Sequence, residues 1–257
     1  MRVITLLNAK GGTAKTTTAL NVGAALSLCG FKVLLIDMDS QGSLSISAGY
    51  DDLKADDVTI YEVLKGSGDI NKALRTKQGR TAYDIIPADI RLSAGEVEFV
   101  QARRRNYLLR DALGKLRTTY DYIIIDCAPS LNILTLNALA AATEVLIPVQ
   151  ANYLPLKGVQ ALREAVEAVS ENFNSDLTIG GVLLTFYDGR RKLDREIREA
   201  LKEAFEGKVY DTTISTSVKL AEAPIYGKDV LDYAFMSKSS TQYQALAQEI
   251  IKRGAKT

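Results

Sequence analysis

The sequence predicts an α/β fold: one domain over residues 1–257, a mostly parallel twisted sheet with helices on both faces. Three observations carry this expectation. Short, wholly apolar runs alternate with longer segments of helical periodicity, and strands covered on both faces by crossover helices read as such runs. The chain has 257 residues, 47% hydrophobic and 25% charged, an ordinary soluble composition with enough length for one large core. A glycine-rich turn joins the first apolar run to the first helical segment, and open α/β sheets place ligands at such strand ends.

Each element follows in order. Residues 3–7 form the first strand. The helical pattern over 16–28 stops before Gly30, a residue suited to the positive φ of a helix C′ position. A second strand covers 33–36. From about Ser43 to Arg105 the pattern loosens, with the turn-rich Lys65-Gly66-Ser67-Gly68 and a strand over 82–86 stopped by Pro87. This stretch reads as an insertion ahead of the strand at 122–125. Helices over 107–116, 131–142 and 156–169 alternate with strands at 145–148 and 179–184. In the helical segment 189–205, Leu193, Ile197, Leu201 and Phe205 fall on one stripe. The last helix, 239–253, sets Tyr243, Leu246, Ala247, Ile250 and Ile251 on a core-facing stripe. No internal repeat, low-complexity tract or linker interrupts the series.

Composition removes several chemistries. Without histidine, a Ser–His–Asp triad is impossible and the usual zinc sites are unsupported. Two cysteines, Cys29 and Cys127, cannot make a secreted disulfide framework, and both read as small buried hydrophobes. The N-terminus lacks a signal-peptide pattern and no run approaches a membrane span, so a cytoplasmic protein is expected. A formal net charge of +1 argues against a wholly basic surface but leaves room for a local patch.

The first strand runs into Asn8-Ala9-Lys10-Gly11-Gly12-Thr13-Ala14-Lys15-Thr16-Thr17. Small residues there let backbone N–H groups ring a phosphate, and the helix N-terminus adds partial positive charge. Lys15 is placed to reach β and γ oxygens, and the Thr16 hydroxyl to hold Mg²⁺. Ala14 stands where a glycine of unusual φ normally precedes the lysine, so a strained loop is expected. Lys10 has two readings, a solvated loop lysine or a second phosphate ligand.

This run resembles the deviant Walker A motif of the ParA/MinD family of P-loop ATPases, and within it the ParA/Soj partition branch. Further blocks extend the resemblance: Leu34 through Gly42, Tyr122 through Ser130, Pro148 through Ala151, Leu184 through Arg190, and Leu220-Ala221-Glu222-Ala223-Pro224. It implies a P-loop NTPase fold and an ATP-dependent homodimer in which Lys10 reaches across to the partner's phosphates. It also implies nonspecific DNA as ligand, a ParB-like centromere-binding partner, and a nucleoid-associated, partner-stimulated ATPase. Asp39 is implied as the group that orients the attacking water and Asp37 as support for the Mg²⁺ shell. For both, an Asp capping the next turn is the alternative. Ser40 replaces the proline usual after the second Asp.

Tyr122-Ile123-Ile124-Ile125-Asp126 reads as a buried strand whose terminal acid meets the metal, since an unpaired buried carboxylate is otherwise costly. Cys127-Ala128-Pro129-Ser130 is expected to sense the γ-phosphate. No arginine finger is evident, so basal hydrolysis should be weak. The adenine is expected near Thr185-Phe186-Tyr187-Asp188 and the loop around Ile214-Ser215-Thr216, although Phe186 and Tyr187 equally fit simple packing.

Arg190 and the stripe Arg191, Arg195, Arg198 and Lys202 are the strongest DNA candidates, beside the apolar stripe of the same segment. The alternative is a solvated helix face laced with ion pairs to Glu196, Glu199 and Glu203. Arg103-Arg104-Arg105, Lys208 and Lys219 are weaker candidates. The Arg–x–x–Arg usual before Leu-Ala-Glu-Ala-Pro is here Thr216-Ser217-Val218-Lys219. A MinD-like membrane-cycling ATPase is the competing function. It needs a terminal amphipathic segment, and neither the final helix nor the tail Arg253-Gly254-Ala255-Lys256-Thr257 offers one, so no membrane partner is expected. A redox ATPase with a bridging cluster is disfavoured by the separation of Cys29 and Cys127.

Overall fold

Apolar runs followed by helices pair in parallel, because each helix carries the chain back across the sheet. The computed structural model describes residues 1–151 and 156–254. Its strands are β1 (Arg2–Leu6), β2 (Val33–Met38), β3 (Arg75–Lys77), β4 (Tyr83–Ile86), β5 (Tyr122–Cys127), β6 (Glu144–Gln150), β7 (Thr178–Thr185) and β8 (Val209–Ile214). The helices are α1 (Lys15–Leu28), α2 (Ser43–Ser47), α3 (Ile60–Lys65), α4 (Ile70–Ala73), α5 (Leu92–Glu98) and α6 (Leu108–Leu113). The series continues with α7 (Ile133–Ala141), α8 (Leu156–Asn172), α9 (Lys192–Ala204), α10 (Val218–Glu222), α11 (Val230–Tyr233) and α12 (Lys238–Gly254). The sheet order is β3-β4-β2-β5-β1-β6-β7-β8, parallel throughout except for the β3–β4 pair.

Strand periodicity divides the core into two layers. Leu34, Ile36, Ile123, Ile125, Val145 and Ile147 face the layer containing α3, α7 and α9. Their neighbours Leu35, Ile124 and Leu146 face α1 and α12. Helix α1 is buried along most of its length, which explains its run of Thr, Ala, Leu and Val.

The edge strand β8 is closed by side chains. Glu249 of α12 accepts from the N–H groups of Asp211 (2.9 Å) and Thr212 (3.1 Å). Arg253 donates to the carbonyls of Lys208 (2.9 Å) and Val209 (2.8 Å). The Glu249 contacts occupy N–H groups that an edge strand otherwise presents to other chains, while the Lys208 carbonyl also accepts the Val182 N–H of β7.

Several expectations change. The stretch after Ser43 is more than an insertion, because β4 pairs with β2 and β3 extends the sheet. Strand β8 was not expected, since its polar Asp211-Thr212-Thr213 centre hides the alternation of a strand. Cys29 is exposed at the end of α1, where its Sγ accepts from Gln248, while Cys127 is buried. Leu193 is 51% exposed and leaves the α9 stripe. Asp194 takes the inward place, because its carboxylate accepts the Asp188 N–H at 2.8 Å. Gly30 does adopt a positive φ, +89°. The last three residues of the predicted tail lie outside the described residues.

Candidate active site

Strand register brings the acids to the phosphate loop. Asp126 pairs in register with Leu6 of β1 on one side and Asp37 of β2 on the other. The chain therefore leaves β1 into the glycine-rich turn level with two buried carboxylates. Helix α1 begins at Lys15 with no side-chain cap and no acid in its first turn, leaving its first N–H groups available to an anion. Gly12 takes φ +73°, and Ala14 takes φ 67° with ψ 33°, the left-handed conformation expected of a glycine there.

The loop is tied at both ends. The Asn8 amide donates to the Pro148 carbonyl (2.7 Å) and its oxygen accepts the Lys10 N–H (2.9 Å). The Thr185 hydroxyl donates to the Thr13 carbonyl at 3.2 Å. Lys15 is buried, and its ammonium donates to the Lys10 carbonyl at 3.3 Å. Burial lowers the Lys15 pKa, against the opposing charges of Asp126 and Asp39.

The Thr16 hydroxyl donates to Asp126 Oδ2 at 2.6 Å, while the buried Asp126 Oδ1 has no partner. Burial, with Asp37 nearby, pushes Asp126 up to about 8, opposed by Thr16 and Lys15. An orphaned carboxylate oxygen beside a hydroxyl is a hard oxygen set that fits Mg²⁺. Among the described residues no group of three or more His, Cys, Asp or Glu could hold a metal ion. A Mg²⁺ that takes its remaining ligands from phosphate and water needs no such group.

Asp37 faces another way. Its Oδ2 accepts from the Ser45 N–H (2.8 Å) and hydroxyl (2.7 Å), and its Oδ1 from the Asp39 N–H (3.1 Å). Burial raises it to about 6 against those hydrogen bonds. Ser45, which holds Asp37 and also accepts the Ala88 N–H, carried no signal in the sequence. Asp39 is half-buried and caps the next turn through the Gln41 N–H, at 3.0 Å. Lys10 is exposed on the loop.

Beside Ala14 and Thr17 lies a cavity of about 280 Å³, walled by Phe186, Ile214, Leu220 and Tyr243 among others. Phe186 takes φ +53°. Tyr187 and Asp188 do not line this cavity. They line a larger adjoining hollow of about 910 Å³, because the Tyr187 N–H is bound to the Ile214 carbonyl and Asp188 is held by arginine. Leu220 lies in a block flagged by sequence without a role, and Tyr243 read only as core.

The basic candidates have partners within the chain. Arg190 and Arg191 pair with Asp188 at 2.9 and 3.9 Å. Arg195 donates to the Gly189 and Arg190 carbonyls. Arg198 is half-buried over the Tyr187 ring and donates to the Asp211 carbonyl. Lys202 pairs with Glu199 at 3.2 Å and Lys219 with Glu222 at 2.8 Å. Arg104 pairs with Asp111. Of the stripe, only Lys202 pairs with one of the glutamates of α9, and Arg190, Arg191 and Arg195 keep exposed positions at one end of the helix.

Comparisons with known proteins agree with this geometry. The AAA domain family matches residues 1–179. The chromosome partitioning protein ParA of Caulobacter vibrioides is 43% identical over 255 residues, covering 98% of this chain and 95% of that protein. The sporulation initiation inhibitor protein Soj of Bacillus subtilis is 41% identical over 254 residues, covering 98% of this chain and 99% of that protein. Among solved structures, cobyrinic acid a,c-diamide synthase from Mycobacterium smegmatis, with bound ADP and magnesium, superposes with a TM-score of 0.86 at 34% identity, covering 99% of this chain and 96% of the other. The phosphate loop, the acid at the end of β5 and these full-length relatives lead to one conclusion: the chain belongs to the ParA/Soj family of chromosome-partitioning P-loop ATPases.

Proposed function

We propose that this chain, one domain over residues 1–257, is an ATP-switched partition ATPase of the nucleoid. Two copies pair around two ATP molecules, the pair binds DNA without sequence preference, and a ParB-like partner stimulates hydrolysis and releases it. The observation that carries the reading is the Thr16–Asp126 pair beside Lys15, with one buried carboxylate oxygen lacking a donor. The relatives named for chromosome partitioning support the process, and the ADP and magnesium of the solved neighbour support the ligand class.

The roles proposed for its residues combine this geometry with the family resemblance. Backbone N–H groups from Lys10 to Thr17, including those of Gly11, Gly12, Thr13 and Ala14, ring the phosphates. Lys15 leaves the Lys10 carbonyl for the β and γ oxygens, a move favoured because phosphate offers a buried ammonium full charge compensation. Thr16 and Asp126 would hold Mg²⁺, which supplies charge neutralisation at the phosphate oxygens. Asp37, fixed by Ser45 on one oxygen, positions the Asp39 turn by accepting the Asp39 N–H on the other. Asp39 orients the attacking water, and Phe186 lies beside the base. Lys10 of each copy stabilises phosphate charge on the other, in place of an arginine finger.

Arg190, Arg191, Arg195, Lys202 and Lys219 are assigned to DNA phosphates, with Arg198 supporting the Tyr187 loop. Pairing doubles this patch, which offsets a net charge of only +1. The membrane-cycling reading is disfavoured because the apolar stripe of α12 packs in the core, with Tyr243, Leu246 and Ile250 buried. DNA binding with ATP, ADP and no nucleotide across a salt series tests the proposal. Binding should be steeply salt-dependent and confined to the ATP state, and Lys15→Ala should abolish both binding and hydrolysis. Normal hydrolysis by Lys15→Ala overturns the site assignment.

A further inference from the structure

We infer that Asp188 is an internal counter-ion that competes with DNA phosphate for Arg190 and Arg191, keeping a lone protomer off DNA. The inference rests on the DNA-binding reading above and adds its regulation. Among the described residues lining the 910 Å³ hollow are the cations Arg190, Arg191 and Lys238, the hydroxyls of Thr213, Ser215 and Thr216, and one acid, Asp188. Three positively charged side chains around one open hollow make a seat for an anion.

Asp188 already occupies part of that seat. Its carboxylate takes the Arg190 guanidinium in a two-pronged contact, Nε to Oδ1 at 3.0 Å and Nη2 to Oδ2 at 2.9 Å. Oδ1 also accepts the Arg190 N–H at 3.1 Å, and Arg191 stands 3.9 Å from Oδ2. A phosphate offers a guanidinium the same fork of two oxygens, so carboxylate and phosphate exclude one another at Arg190. These arginines hold the Asp188 carboxyl well below the usual carboxylate range, so the counter-ion stays charged at any working pH.

The loop is built to keep this pairing. The Asp188 N–H is anchored on the buried Asp194 carboxylate, and Arg195 fastens the carbonyls of Gly189 and Arg190. The strength is graded, because Arg190 is 91% exposed and exposed ion pairs are weak. Asp188 therefore biases against DNA without forbidding it. A pair of protomers, held to DNA by two patches at once, overcomes a bias that a separated protomer does not.

The test is Asp188→Asn, which keeps an oxygen for the Arg190 N–H and removes the charge. Affinity for a short DNA duplex is measured with ADP and with ATP across a salt series. Glu203→Gln, an exposed acid on α9 away from the hollow, serves as a control of equal charge. Asp188→Asn should tighten binding in the ADP state by about five-fold, the ceiling of an exposed ion pair. The log–log salt slope should steepen by roughly one to two units, at ~0.9 per freed phosphate contact. Glu203→Gln should give little of either. An equal gain in both variants, or a gain that survives with Arg190→Gln in the same chain, overturns the inference. Wild-type protein that ignores DNA in ATP refutes the partition reading. In that case, binding gained by Asp188→Asn still supports the counter-ion, and no gain removes it too.

Discussion

At the scale of single residues, Ala14 and Asp126 both hold unfavourable positions beside the phosphate loop. A left-handed backbone costs a non-glycine residue roughly 1–2 kcal/mol, and Ala14 takes it at φ 67°. Ala14→Gly removes that strain but frees the unfolded chain by ~0.4–1 kcal/mol. The variant should therefore be more stable by about 0.5–1 kcal/mol, and a lower urea midpoint would contradict the strain. Asp126 is the reverse case, a carboxyl raised to about 8 by burial. The folded chain holds that proton while the unfolded chain releases it near 4. The contribution of Asp126 to the stability of the nucleotide-free protein should thus be full below about pH 4 and be lost as pH rises to about 8. Asp126→Asn should remove the part of this slope between about pH 6 and 8 in melting curves, leaving the part below about 6 to which Asp37, also raised by burial, contributes. Sequence located both residues, because strand, loop and helix fix where the phosphate loop and the strand-end acid must be. It did not show that Asp37 turns to Ser45, since that choice depends on α2 packing beside β2.

At the scale of elements, β8 and α9 show how far periodicity reaches. Strand β8 has the N–H groups of Asp211 and Thr212 taken by Glu249 of α12 and the Val209 carbonyl by Arg253. Glu249→Ala leaves two N–H groups without their carboxylate and should cost about 1–3 kcal/mol. Hydrogen exchange at Asp211 and Thr212 should quicken well before global unfolding, and unchanged protection would show the clamp to be idle. The long apolar strands were legible in the sequence because residues covered on both faces leave an unbroken run. Strand β8 was not, because an edge strand answers to one helix 30-odd positions away. In α9 the inward places of Ile197, Leu201 and Phe205 followed from spacing. Leu193 did not, since the Asp194 carboxylate gains a buried donor by turning in.

At the scale of the whole molecule, the decisive question is whether nucleotide joins two copies. Lys10 lies exposed on the loop, and its proposed role is at the phosphates of a second copy. Lys10→Ala should retain ATP binding through Lys15 yet lose ATP-triggered pairing in sedimentation, whereas Lys15→Ala should lose both. Pairing that survives Lys10→Ala would leave the lysine without a role across the interface. Taken by itself, the sequence determined the α/β alternation, the phosphate loop with its lysine, threonine and strand-end acid, and the family. Those features are written in local order, where each residue's neighbours along the chain fix its conformation. Only the tertiary structure decided that Asp37 is held by Ser45 and the Asp39 N–H, that Tyr187 and Asp188 line an adjoining hollow, and that Asp188 holds the arginines. Each of these turns on which distant backbone or side-chain group supplies a hydrogen-bond partner, and that is settled by packing between elements.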